Sequence, residues 1–133
     1  MYLLDTNIIS DAYKRREKPA NWLSSIDPAS AYLSVITVGE IERGVAKLRR
    51  QESQDASKLA VWLKGLRQSY SARILPVTEE VALIWGDLSA GRSRSEADGL
   101  IAATALQHDL ILVTRNVADF QDTGVTVLNP WDL

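Results

Sequence analysis

Asp98-Gly99-Leu100-Ile101-Ala102-Ala103-Thr104-Ala105-Leu106-Gln107-His108-Asp109-Leu110-Ile111-Leu112-Val113-Thr114 decides the fold. Residues 98–107 read as a helix whose alanines let it pack closely on a neighbouring layer. Leu110–Thr114 is an unbroken apolar run, too short for a helix and expected of a strand covered on both faces. A helix that leads straight into a doubly covered strand is the repeating unit of a parallel sheet.

The same alternation recurs on either side. Tyr2–Leu4 reads as a first strand, followed by a helix from Ile8 to about Lys14 and a second with Pro19 in its first turn. Ala31–Val35 is a strand after the turn signal Asp27-Pro28. Thr37 opens a long helix striped by Val38, Ile41, Val45 and Leu48, and a break at Gln51–Asp55 separates it from a helix carrying Leu59, Trp62, Leu63 and Leu66. Arg73–Val77 is a short strand limited by Pro76, Thr78-Glu79-Glu80 caps a helix with Val81, Ile84, Trp85 and Leu88, and Val125–Leu128 closes the series. The expected fold is α/β, a short and mainly parallel sheet between two layers of helices, with residues 1–133 forming one domain.

Composition narrows the function classes. The chain has 133 residues, no cysteine and one histidine, His108, so a disulfide framework, a thiolate metal site and a histidine-rich zinc site are all disfavoured. No apolar run approaches the roughly 20 residues that span a bilayer, and Met1-Tyr2-Leu3-Leu4-Asp5 lacks the basic start of a signal peptide. These features favour the cytoplasm. The net charge of −2 does not mark a nucleic-acid binder, but its distribution is uneven. Residues 43–94 hold ten Lys/Arg against five Asp/Glu, whereas residues 95–133 hold one against six. Such a chain can set a basic wall beside an acidic pocket.

Three acids stand out: Asp5 just after the first strand, Glu40 near the start of the long helix, and Asp98 in Ser95-Glu96-Ala97-Asp98. Capping alone accounts for each position. Thr37-x-x-Glu40 and Ser95-x-x-Asp98 are capping-box patterns, and first-turn acids complement the helix dipole. Together they read differently, because sites in open α/β sheets form beyond the carboxyl ends of the strands. Like charges about 5 Å apart cost roughly 3 kcal/mol at an effective dielectric near 20. A divalent cation relieves that repulsion, and an all-oxygen set suits Mg²⁺ or Mn²⁺. Metal-assisted chemistry on phosphates is the expectation.

Four segments in order, Leu4-Asp5-Thr6-Asn7, Val38-Gly39-Glu40-Ile41-Glu42-Arg43-Gly44, Asp98-Gly99-Leu100-Ile101-Ala102-Ala103-Thr104-Ala105 and Leu112-Val113-Thr114-Arg115-Asn116-Val117-Ala118-Asp119-Phe120, resemble the PIN-domain ribonucleases, in particular VapC-type toxins of bacterial toxin–antitoxin pairs. Asn129-Pro130-Trp131 also fits, so the resemblance covers nearly the whole chain. It implies a Mg²⁺- or Mn²⁺-dependent endoribonuclease with Asp5, Glu40 and Asp98 as its acids, Asp5 and Asp98 being the principal metal ligands and Glu40 a further ligand or a water-positioning carboxylate. Many family members carry a fourth acid where this chain has Asn116; Asp119 is the nearest substitute. Thr6, Thr114 and Asn116 would support the site, and Arg43, Arg92 and Arg94 would contact RNA phosphates. A cognate antitoxin and a homodimer are implied as partners, with the apolar surface around Trp62, Leu63 and Leu66 as the antitoxin groove. Two rivals differ in specific residues. A phospho-accepting signalling domain needs paired acids at the first strand and a late lysine, but the chain has Asp5 alone there and no lysine after Lys64. A catalytically silent RNA- or protein-binding module of the same fold would differ at the fourth acid, where Asn116 stands.

Overall fold

The first strand shows how the layers arise. The computed structural model describes all 133 residues, and β1 (Tyr2–Leu4) lies at its centre. Leu3 and Leu4 are both fully buried, but successive strand side chains leave on opposite faces. Leu4 packs with Ile8, Ile9, Leu33, Val45 and Leu63 on one side. Leu3 packs with Ile101, Ala102, Leu112 and Phe120 on the other. Two cores separated by one sheet make three layers.

Four further strands complete the sheet: β2 (Ala31–Ser34), β3 (Ile74–Leu75), β4 (Ile111–Val113) and β5 (Val127–Leu128). Their order is β3-β2-β1-β4-β5, and every pairing is parallel. Helices α1 (Thr6–Tyr13), α2 (Glu17–Ser25), α3 (Val35–Arg50) and α4 (Asp55–Ser69) carry the chain from β1 to β3. Helices α5 (Glu79–Ser89) and α6 (Glu96–Gln107) return it to β4 on the other side of β1. The winding direction therefore reverses between β1 and β4, where the carboxyl ends of the strands diverge into a crevice. In the flavodoxin-like order of phospho-accepting domains the second strand is an edge. Here β2 lies between β1 and β3, which tells against that rival.

The expected elements are present, with local differences: α1 and α6 each begin two residues earlier than expected, and β4 is shorter than the Leu110–Thr114 run. The long helix begins at Val35, capped by the Ser34 hydroxyl, which accepts from the Ile36 amide at 3.0 Å. Thr37 is thus inside the helix and fully buried, and Glu40 lies in its second turn, beyond capping range. Strands β3 and β5 are shorter than the Arg73–Val77 and Val125–Leu128 runs. Leu63 is a core residue rather than part of an open groove. Trp85 of α5 lies against α6: a Cβ placed on Gly99 would come within 2.9 Å of its ring, so only glycine permits this approach. No helix is long and apolar enough to cross a membrane.

Candidate active site

Asp5 follows β1 directly, and its backbone amide is held by the Val113 carbonyl at 2.9 Å. The carboxylate caps α1 by accepting from the Thr6 amide at 2.8 Å. It also accepts from the Thr114 hydroxyl at 2.8 Å and the Asn7 side-chain amide at 3.3 Å. Thr114 follows β4, so the two strands at the reversal point supply the acid and its principal donor. The side chain is both a helix cap and a site residue. Only 5% of Asp5 is exposed, and burial pushes its carboxyl up to about 6 from 3.8, against the hydrogen bonds of Thr114 and Thr6 and with further upward push from Asp98 and Glu40. Desolvation of this size matters more here than hydrogen bonding.

Glu40 is held by a different device. The Thr6 hydroxyl lies 2.6 Å from one Glu40 oxygen and 3.0 Å from the Thr37 hydroxyl. Because α1 starts at the end of β1 and α3 at the end of β2, these contacts bring the second acid to the first. Arg43, one turn along α3, lies 3.8 Å from the other Glu40 oxygen, with its side chain 80% exposed.

Asp98 is the third residue of α6, whose cap, the Ser95 hydroxyl, accepts from the Asp98 amide at 3.1 Å. Its carboxyl is raised by partial burial first, then by Asp119 and Glu40, with Ser95 and Arg94 acting the other way. Asp119 sits in a short 3-10 turn, Val117–Phe120, after β4. Asp98 and Asp119 both line an open cavity of about 460 Å³, whose wall includes Arg92, Arg94, Ser95 and Asp122. Arg92 and Arg94 both pair with the Asp122 carboxylate. Arg94 also donates to the Leu88 and Asp119 carbonyls at 3.1 and 3.3 Å, and only 9% of its side chain is exposed.

The four acids thus come to one end of the sheet, where Asp5 and Asp98 are the two whose carboxyls are raised. No three of them are close enough to ligate a single ion together. The donor set still suits Mg²⁺ or Mn²⁺: it is all oxygen, and Mg²⁺ keeps most of its waters, binding through one or two carboxylates. Asn116 donates its backbone amide to the Thr114 hydroxyl at 3.0 Å, which places it beside the Asp5 network.

Asn7 is a site residue that its sequence position alone did not single out. Its side chain donates to Asp5 and Thr114 and accepts from the Arg115 amide at 3.2 Å. Its signal was its place in Asp5-Thr6-Asn7, but a polar residue after a cap is commonplace until the fold brings Thr114 to it. A second cavity of about 460 Å³ runs from Thr6 and Glu40 along α1, α3 and α4, past Tyr13, Leu59 and Trp62. Tyr13 and Trp62 pack with ring centroids 4.4 Å apart.

The PIN domain model matches residues 2–125. Toxin FitB of Neisseria gonorrhoeae is 39% identical over 98% of this chain and 99% of its own. VapC ribonuclease Y4jK of Sinorhizobium fredii is 33% identical over 99% of each chain. Among solved structures, FitAB bound to an IR36 DNA fragment matches with a TM-score of 0.89 at 37% identity, covering 100% of this chain and 97% of that one. A toxin–antitoxin complex from Klebsiella pneumoniae matches with a TM-score of 0.71 at 25% identity, covering 98% of each.

Proposed function

The chain belongs to the PIN-domain family, and from that premise we propose that residues 1–133 act as one endoribonuclease domain, the toxin of a toxin–antitoxin pair. The observation that carries most weight is the buried Asp5 carboxylate at the reversal of the sheet. It is fixed by Thr6, Asn7 and Thr114 and lies within the electrostatic reach of Glu40 and Asp98. A structural cap has no need of two further acids close enough to raise its pKa.

Bound Mg²⁺ or Mn²⁺ would supply an acidified water as nucleophile and neutralise charge on the phosphate oxygens. Asp5 and Asp98 would hold the ion, with the Asp5 carboxylate oriented by Thr6, Asn7 and Thr114. Glu40, oriented by Thr6, positions a water, and Asp119 supports the Asp98 side. Asn116 fills the position where many relatives carry an acid and braces Thr114 through its backbone. Arg43 and Arg92, both substantially exposed, reach RNA phosphates.

The groove beside Glu40 suits an antitoxin segment. Leu59 and Trp62 give it apolar walls, and its end opens on Thr6 and Glu40, so a basic side chain laid along it would meet the acids and displace their metal. Leu63, being core, takes no part, and Leu66 packs against the same core. Cytoplasmic location and homodimer formation complete the proposal.

Single-turnover cleavage of a structured RNA by the purified protein, with and without Mg²⁺, tests it. Cleavage that requires metal and that the product of an adjacent small gene suppresses is expected. Binding of RNA without cleavage at any metal concentration would replace the nuclease with a silent module.

A further inference from the structure

Arg94 lines the cavity of Asp98 and Asp119, and its guanidinium is the most enclosed of the arginines paired with acids: 9% of the side chain is exposed, against 52% for Arg92 and 80% for Arg43. Each of its three guanidinium nitrogens already holds an acceptor within the protein. One goes to the Leu88 carbonyl near the end of α5, one to the Asp119 carbonyl in the 3-10 turn, and one to the Asp122 carboxylate beyond that turn. The next residue, Ser95, caps α6 and holds the Asp98 amide. A single planar fork therefore joins the loop that starts the Asp98 helix to the turn that carries Asp119. A lysine, with one compact ammonium, cannot span three acceptors set in different directions.

We propose that Arg94 is a positioning residue, clasping the Asp119 turn to the start of α6 and so fixing the spacing of Asp98 and Asp119, rather than a contact for RNA phosphate. Two carboxylates that repel each other drift apart unless the backbones bearing them are tied. The Asp119 carbonyl is the tie on one side, and the Arg94–Ser95 segment is the tie on the other. Asp122 orients the guanidinium, and Arg92, on the same carboxylate, remains with its side chain half in solvent. This assignment rests on the metal-dependent nuclease proposed above.

The test compares wild type with Arg94→Gln, Arg94→Lys and Asp122→Asn, measuring Mg²⁺ binding by calorimetry without RNA, hydrogen exchange at the Asp119 amide, and RNA KM as a function of salt at saturating Mg²⁺. In Arg94→Gln, Mg²⁺ binding weakens roughly tenfold, as for loss of a partner that orients a metal ligand. The Asp119 amide, bonded to the Asn116 carbonyl at 3.1 Å, exchanges faster, while RNA KM and its salt dependence stay at the wild-type level. Arg94→Lys shows the same loss despite keeping its charge. Asp122→Asn, which removes the charge of an exposed arm and leaves the two carbonyl contacts, shows a smaller change in the same direction. A phosphate contact gives the opposite pattern: unchanged Mg²⁺ binding, a raised KM, a salt slope shallower by about 0.7 for a single-stranded site, and rescue by lysine. That pattern overturns the assignment. A wild type that neither binds Mg²⁺ nor cleaves RNA overturns the nuclease proposal instead, and exchange at Asp119 still decides whether the clasp exists.

Discussion

The two halves of the acidic site are built in different ways. The Asp5 half is assembled by the ends of β1 and β4, central strands that pair along their length, and its acid is buried with three donors from Thr6, Asn7 and Thr114. The Asp98 and Asp119 half is assembled by a helix start and a 3-10 turn, tied by arginine side chains from a loop. The first half is rigid because the sheet is rigid. The second depends on a few polar contacts and is open to solvent. A phosphodiesterase needs both properties: a fixed acid as a reference point, and an accessible side through which substrate and metal enter and leave.

The sharpest way to break the comparison is to neutralise one acid from each half. Asp5→Asn and Asp98→Asn should each lower single-turnover cleavage by more than about 100-fold, beyond the usual cost of losing a ligand's supporting partner. Their effects on the metal-free protein should differ. Folding raises the Asp5 pKa from 3.8 to about 6, so the folded state binds that proton more tightly than the unfolded chain. The resulting stability is present in full below pH 3.8 and is lost as pH rises through 6; above that, the buried charge costs roughly 3 kcal/mol. Asp5→Asn should therefore equal or exceed wild type in metal-free thermal midpoint at pH 7.5, with the advantage disappearing near pH 4. Asp98, half-buried and raised in the same direction, should show a weaker version. A metal-free Asp5→Asn protein less stable than wild type at pH 7.5 would mean that capping α1 outweighs burial of the charge.

Gly99 probes how closely the second half is packed. Gly99→Ala places a methyl 2.9 Å from the Trp85 ring. Overpacking of this kind costs about 1–3 kcal/mol, against a gain near 1 kcal/mol from the better helix former. The thermal midpoint should fall, and cleavage should fall with it because Asp98 is the adjacent residue. A rise in the midpoint would show that Trp85 yields freely and that α6 is not tightly located at its start.

The sequence made the sheet-built half the more legible of the two. The run Leu110–Thr114 and the small-residue helix before it announce a doubly covered parallel strand, and three acids at expected helix starts announce a site at the strand ends. Val35 and Ile36 hide the helix start: β-branched residues continue a strand pattern, so the sequence alone points to Thr37 as the first helical residue and to Glu40 as a cap. The Ser34 cap places Glu40 a turn deeper, where capping no longer accounts for it. Leu63 and Leu66 shared a stripe with Trp62, but a helical stripe wider than one contact line has both a core edge and a groove edge, and periodicity alone does not separate them. Asn7 and Arg94 depend on partners 107 and 25 residues away, respectively. Nothing in the local sequence distinguishes a surface arginine from one whose three nitrogens each hold an acceptor within the protein.

Asp119 is the smallest perturbation and the finest test of the contrast. It raises the Asp98 carboxyl, so the two acids lie in each other's field, but Asp119 is exposed in its turn and water carries most of its solvation. Asp119→Asn should therefore lower cleavage at limiting Mg²⁺ and be nearly silent at saturating Mg²⁺, where remaining ligands suffice. Asn116→Asp restores an acid beside Thr114, on the rigid half, and should retain or raise activity at limiting Mg²⁺. If the restored acid compensates for Asp119→Asn in the double variant, the two positions serve one ion. If Asp119→Asn is silent even at limiting Mg²⁺, the site works with three acids, and the open half contributes Asp98 alone.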